Sequence, residues 1–214
     1  APREIEMERL SFGLSGTYDN GFEWDFHMTR SAEDNYGSQP DTGTSKLAAA
    51  INGTGGPSGD MTFDLFSPAA NSQELLDWLR SDQETWTDVQ LSVFDYVVSG
   101  EIGDVSVATG LQVRNEYYNI TRSLNSVVEF DAAGNLTKPA DMIFLGGGTE
   151  STNKRRTQAI FAEASTDISD NLVLKGAIRY EDLETDSNIA PKISLRYQAN
   201  DEVTLRASVS TSFR

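Results

Sequence analysis

Apolar and polar residues alternate along much of this chain. Near its end Val203, Leu205, Ala207, Val209 and Phe213 take turns with Thr204, Arg206, Ser208, Ser210 and Arg214, the pattern of a strand with one apolar and one polar face. Ala199-Asn200-Asp201 supplies a turn before it, and ahead of that turn Ile193, Leu195 and Tyr197 alternate with Lys192, Ser194, Arg196 and Gln198. The two runs predict a hairpin. Upstream, Ile160, Ala162, Ala164 and Ile168 lead through Ser169-Asp170-Asn171 into Leu172, Leu174, Gly176, Ile178 and Tyr180, with Lys175, Arg179 and Glu181 opposite. Phe94, Tyr96 and Val98 lead through Glu101-Ile102-Gly103-Asp104 into Val105, Val107, Leu111 and Val113, opposed by Gln112, Arg114 and Glu116. Leu10, Phe12 and Leu14 lead through Asp19-Asn20-Gly21 into Phe22, Trp24, Phe26 and Met28, opposed by Glu23, Asp25 and His27. Four hairpins make about eight strands.

The connections alternate as well. Between these tight turns lie long links, Ser31 to Glu84 and Arg122 to Arg156, far beyond the usual length of about four to six residues. Short turns on one side and long loops on the other predict an all-β fold, an antiparallel up-and-down meander of the outer-membrane kind. The link from Tyr180 to Lys192 is short, so its strands are expected to run past the bilayer and meet in a compact loop around Asp186-Ser187-Asn188. One helix is predicted, near 72–80 in the first long loop. There Leu75, Leu76, Leu79 and Trp78 form an apolar stripe over Gln73 to Arg80, and Asn71 or Ser72 can cap it.

Composition narrows the possibilities. The 214 residues are 38% apolar, and no window holds the roughly 18 apolar residues of a membrane-spanning helix, so a membrane role must use strands or a surface contact. The absence of cysteine removes disulfides, thiolate metal sites and Cys nucleophiles. A net charge of −16, with Lys and Arg scattered, opposes nucleic acid binding. Ser31 to Glu84 carries nine acids against two bases, which reads as a solvated face able to interact with a partner. Ala1 to Glu8 has no basic start and apolar run, and Leu205 to Arg214 stops in mid-alternation. Both lead to the expectation of an internal piece of a longer protein.

A face carrying Arg114, Glu116, Arg179, Glu181, Arg196 and Arg206 opposite an apolar face fits two environments. In a soluble sandwich the apolar face is a core; in a transmembrane barrel it meets lipid, and the polar face meets the lumen. Several runs reach the roughly 9 to 11 residues of a tilted membrane strand. Aromatics near strand ends, Tyr96, Tyr117, Tyr118, Tyr180, Tyr197 and Phe213, suit an interfacial girdle, although ordinary packing accounts for them too.

The segment Ala190-Pro191-Lys192-Ile193-Ser194-Leu195-Arg196-Tyr197-Gln198, a polar turn, then Val203-Thr204-Leu205-Arg206-Ala207-Ser208-Val209-Ser210-Thr211-Ser212-Phe213-Arg214 resembles the late-barrel signature of TonB-dependent outer-membrane receptors. Val97 to Glu101, Val107 to Glu116 and Ala159 to Glu163 are similar to barrel strands of that family, and Leu47 to Gly56 with Ala69 to Ser72 to a large extracellular loop of one bacterial subgroup. Ser212 stands where glycine is common, and the cysteine pair of some relatives' long loop is missing. The resemblance implies that residues 1–214 are part of a barrel of about 22 strands in the outer membrane of a Gram-negative cell, without its plug, TonB box and closing strands. It implies an active importer rather than an enzyme, energised through the plug by the TonB-ExbB-ExbD complex. The ligand that the resemblance implies is a small nutrient molecule or glycan, with siderophore and cobalamin among the options. Arg114, Glu116, Glu163, Arg179, Arg196 and Arg206 would line the lumen and face the plug; Trp78 and Trp86, taken as loop residues, are weaker candidates for ligand contact. A passive porin or small adhesin barrel is the alternative, and a secreted carbohydrate-binding sandwich a third reading. Fold alone does not choose the ligand.

The remaining motifs carry no chemistry. Gly53-Thr54-Gly55-Gly56-Pro57-Ser58-Gly59 has Ser58 where a dinucleotide fingerprint needs glycine, and Gly146-Gly147-Gly148 lacks the Lys-Ser or Lys-Thr of a P-loop. His27 is the only histidine, so no His-based metal cluster is available, and no nucleophile motif accompanies it. The acids Glu181, Asp182, Glu184 and Asp186 match neither an EF-hand nor a glycosidase pair and read as a hydrated loop tip. Neither a metal nor another cofactor is expected. The sequons at Asn52, Asn119 and Asn135 are coincidental in a bacterial outer-membrane protein.

Overall fold

The structure, a computed structural model, describes residues 2–211. Ser212, Phe213 and Arg214 of the terminal motif, and with them the girdle position of Phe213, lie outside the described residues. The strands are β1 (Arg3–Thr17), β2 (Glu23–Gln39), β3 (Gln83–Ile102), β4 (Val105–Arg122), β5 (Glu129–Phe130), β6 (Leu136–Lys138), β7 (Ser151–Ser169), β8 (Leu172–Asp182), β9 (Ser187–Gln198) and β10 (Thr204–Ser210); the helices are α1 (Thr44–Ile51) and α2 (Gln73–Leu79). Eight strands hydrogen-bond in the order β1-β2-β3-β4-β7-β8-β9-β10, the expected meander, while β5 and β6 form a separate small hairpin. Within the described residues β1 and β10 are edges, and the wall is not closed.

Turn chemistry sets the hairpins. At the first, Tyr18 and Phe22 close the turn with a 2.8 Å bond, and Gly21 takes a φ of 86°, a conformation that a side chain would strain. At the last, the Asn200 side chain accepts from the amides of Glu202 and Val203 at 2.9 Å, the local capping that favours Asn in turns.

By their internal contacts the residues form two units. The first comprises the chain through Met7, Glu33–Val89 and Tyr118–Asn153; the second comprises Glu8–Ala32, Gln90–Tyr117 and the chain from Lys154 onward. In the second unit the register resolves two faces. Leu174 pairs with Leu195 and Thr166, and Ile178 with Pro191 and Ala162, while Leu205, Ala207 and Val209 pair with Tyr197, Leu195 and Ile193. Opposed residues share a face, so one side of β7–β10 is almost wholly apolar. The intervening positions Glu163, Lys175, Arg179, Lys192, Arg196 and Arg206 fall on the other.

Three expectations need correction. Leu47 to Ile51 belong to a second helix, α1, where only α2 was predicted. The tight link after β8 turns at Leu183 to Asp186, whereas Ser187 and Asn188 already belong to β9. Finally, β2 continues to Gln39, shortening the first long link, because a backbone ladder persists through residues that no longer alternate in polarity.

On the polar face Gly110 makes room for a neighbour's ring. A Cβ there would stand 2.6 Å from the Tyr96 carbonyl oxygen and 2.7 Å from the Phe161 ring, whereas one at Gly176 would meet nothing within 4 Å. Gly110→Val should therefore destabilise the sheet by about 1–3 kcal/mol, and Gly176→Ala should leave it near wild type. Urea unfolding of the refolded receptor in detergent measures both, and equal midpoints for the two variants would contradict the packing.

Candidate functional site

The polar face of the second unit holds the charged residues singled out in the sequence. Alternation along β4 puts Gln112, Arg114 and Glu116 on one side. Across from them on β7, the Arg155 Nη2 lies 2.6 Å from Glu116 Oε2, and Arg114 Nε lies 3.9 Å from the same oxygen. Arg179 on β8 donates to Glu181 at 2.7 Å and to Gln112 at 3.0 Å; Gln112 in turn donates to Asp95 at 2.6 Å. The Arg179 guanidinium also stands 6.0 Å from the centroid of the Phe161 ring that covers Gly110. Arg114, Glu116 and Arg179 thus belong to internally paired clusters. Such half-exposed pairs contribute little stability, about 0–1 kcal/mol each; their effect is to fix side-chain direction and neutralise this part of the wall. Glu163 stands opposite Ala177, and Arg196 faces Arg206 across β9 and β10. Neither arginine joins those clusters.

In the first unit the two long links are folded, where the sequence indicated a solvated acidic loop. Ala50, Leu75 and Leu79 are buried between α1 and α2, with Leu47, Met61, Phe63 and Trp78 packed around them. α2 is capped as expected, Ser72 accepting from the Leu75 amide. α1 has no cap of its own, since Gly43 precedes it. Its cap comes from the other link: Asp141 accepts from the Ser45 amide at 2.7 Å and from the Ser45 hydroxyl at 2.5 Å. The Ser45 hydroxyl, opposed by partial burial, holds the Asp141 carboxyl below its ordinary value.

Asp41 does the reverse, holding the second link from the first. Only 7% exposed, it accepts from Thr42, Phe144 and Leu145 amides, at 2.6 Å from Thr42 and 2.8 Å from Leu145. Burial alone would raise its pKa, but those backbone donors outweigh burial and hold it below 3.8. Arg122, at the end of β4, donates to Glu150, Thr149 and Thr85 and pins the far end of the second link. These acids are structural staples, which polarity along the chain gave no means of distinguishing from solvated ones.

Trp78 is half-buried against the helix core, with Lys46 Nζ 5.8 Å from its ring centroid. Trp86 is not a loop residue: it lies in β3, its ring centroid 5.5 Å from that of Tyr36 and tilted 34° to it, and the Tyr36 hydroxyl donates to Glu84 at 2.7 Å. The pair borders a recess of about 540 Å³ that also holds Glu4, Glu6 and Asp34. Sequence reasoning missed Phe66 and Phe144, 97% and 79% exposed on loops whose amides are fixed by Asp64 and Asp41. Isolated apolar residues without periodicity offered no signal. The Gly53 to Gly59 stretch is a turn closed by the Gly55–Met61 bridge. His27 lies over Gly13, where a Cβ would come within 2.9 Å of its Nδ1. Among the described residues no group of three or more His, Cys, Asp or Glu side chains could hold a metal.

A family model described as TonB dependent receptor-like, beta-barrel matches residues 2–214. Among solved structures, a mutant of the ferric enterobactin receptor PfeA from Pseudomonas aeruginosa is similar in fold, with a TM-score of 0.54 and 14% identity over 96% of this chain and 25% of that one. The chain spans about a quarter of that receptor's length. No curated protein matches it.

The carboxylate staples predict how the loop assembly responds to change. Asp41→Ala leaves buried amides without an acceptor and should cost about 1–3 kcal/mol, read as faster proteolysis between Phe144 and Leu145. Both Asp41 and Asp141 have lowered pKa values when folded, so their stabilisation is complete above the ordinary value of 3.8 and is lost as pH falls below it. Trp78 emission should stay constant from pH 7 down to about 4 and shift red below that. A transition near pH 6 would contradict the assignment.

Proposed function

We infer, because the chain belongs to the TonB-dependent receptor β-barrel family, that it forms part of the wall of an outer-membrane importer in a Gram-negative cell. One observation carries the reading beyond family membership. The apolar face of β7–β10 has no second layer over it among the described residues: Ile178, Ile193, Leu205 and Val209 remain 50%, 55%, 58% and 70% exposed. In water such a surface drives association; in lipid it is the solvated side of a barrel wall. No helix among the described residues is long and apolar enough to cross a membrane, which leaves crossing by strands open.

In this reading Arg114, Glu116, Glu163, Arg179, Arg196 and Arg206 line the lumen, opposite the lipid-facing residues in register. The tight turns face the periplasm and the folded long links face outward. A nutrient ligand is captured outside and moved inward with energy supplied by TonB and its partners, through a plug that is not part of these residues. A siderophore is one option for the ligand, since the structural neighbour is a ferric enterobactin receptor. Trp86, beside an acidic recess, is a better placed contact than Trp78, whose ring is committed to the loop core. The chemistry is binding and translocation, with no covalent step assigned.

Uptake separates this reading from a passive porin. In cells carrying the full-length receptor, ligand accumulation should disappear when TonB is deleted; undiminished accumulation would favour the porin. The facing is tested separately. Leu205→Arg should cost about 2–4 kcal/mol near the bilayer midplane, while Ser208→Arg on the wet face should be mild. Urea titration in lipid vesicles reads both, and a larger loss at Ser208 would mean that the register is inverted.

A further inference from the structure

We propose that Lys154 and Arg156, on the outer face of the wall, bind the phosphate of an anionic lipid headgroup. The inference rests on the reading of the apolar face as the one that meets lipid. Lys154-Arg155-Arg156 is the only place in the sequence where Lys or Arg residues are consecutive, and a strand cannot put all three on one side. Contacts from β7 to β4 fix the split. The Thr152 hydroxyl donates to Asn119 and Lys154 Nζ lies 5.6 Å from the centroid of the Tyr117 ring, while Arg155, between them, is ion-paired with Glu116. By the same alternation Arg155 shares the inner face with Glu163, and Lys154 and Arg156 share the outer face with Ile160 and Ala162.

Height above the apolar belt selects the partner. On the outer face Ile160 pairs with the exposed Tyr180, and the next pair out is Gln158 with Asp182, so the belt ends between these two pairs. Arg156 stands about 10 Å farther along β7, which a barrel tilt of about 35–45° reduces to about 8 Å in height. A lipid headgroup layer is roughly 5–8 Å deep on each side of the hydrocarbon core. Cations on a face continuous with the lipid-covered one, at headgroup height, meet lipid phosphates before any other anion.

The recess around them has the parts such a headgroup needs. Lys154 and Arg156 border a space of about 320 Å³ together with Ser92 and Asn115, whose hydroxyl and amide can donate to phosphate oxygens. Among the described residues neither cation has a carboxylate within ion-pair distance, and the Tyr117 ring orients the Lys154 ammonium without neutralising it. Acids do stand nearby. Glu116 is held by Arg155, Asp182 accepts from the Glu184 amide at 3.0 Å, and Glu184 itself lines the recess. Glu184 opposes an anion there, so its removal should strengthen the site. A phosphate monoester, with about −1.5 to −2 charges and three acceptor oxygens, can meet both cations at once, with a bidentate contact to Arg156.

The test is native mass spectrometry of the full-length receptor released from detergent micelles containing phosphatidic acid, with phosphatidylcholine as the comparison lipid. The expected result is a single retained phosphatidic acid at a lipid concentration where phosphatidylcholine is not retained. Retention should fall severalfold in Lys154→Gln/Arg156→Gln, rise in Glu184→Gln and stay unchanged in Arg196→Gln on the inner wall, each variant first shown to be folded by heat-modifiable migration. Displacement of the lipid by added inorganic phosphate would make the site one for the free ion and overturn the proposal. So would protection of Lys154 from acetylation by a glutamate-rich peptide but not by phosphatidic acid, which would make the partner a protein. Equal retention in the double variant and the wild type, with Leu205→Arg still costlier than Ser208→Arg, removes the lipid site and leaves the facing intact. Retention lost in Arg196→Gln but not in the double variant overturns the facing itself.

Discussion

A β-ladder obliges each strand to place successive side chains on opposite faces while its backbone groups find partners in the neighbouring strands. Everything else here depends on that two-residue period. Because Leu205, Tyr197, Leu172 and their neighbours two residues on are held opposite one another, hydrophobic side chains from consecutive strands add up to one continuous surface. The charged residues between them add up to another. A slip of one residue in any hairpin would mix the two, so the turns that fix the register, at Gly21 and Asn200 among others, matter beyond their few hydrogen bonds.

The polar surface is not uniform. Around Gly110 the wall is closed on itself: Phe161 occupies the space a side chain would need, Arg179 covers the ring, and Gln112 and Glu181 orient the guanidinium. Across β9 and β10 the wall carries charge that it does not neutralise. Neighbouring parts of one sheet face are thus built differently, the first paired within the wall and the second with Arg196 opposite Arg206.

The sheet was legible because its rule is local. Alternation and Asp, Asn or Gly turns located all four hairpins to within a few residues, and the shared face of Glu163, Arg179, Arg196 and Arg206 followed from parity alone. The loop assembly was illegible because its determinants are distant. α1 is short, begins after Gly43, and takes its cap from Asp141, almost a hundred residues on. Asp41 looks like any other loop acid until Leu145 is folded against it. Trp86 was placed in a loop because β3 begins in a polar stretch where alternation says nothing. Parity put Lys175 with Arg179 and Lys192 with Arg196 on the polar faces of their strands, and the register adds which of them are neighbours across strands.

The central claim is that lipid, rather than a second protein layer, covers the apolar face. Nitroxide labels placed singly at Ile193, Ser194, Leu195 and Arg196 of the full-length receptor in lipid vesicles test it most directly. Collision rates with oxygen, which concentrates in the bilayer, should be high at Ile193 and Leu195 and low at Ser194 and Arg196, with a water-soluble nickel complex unable to reach the first pair. Low oxygen accessibility at all four positions, or the alternation reversed, would contradict the account.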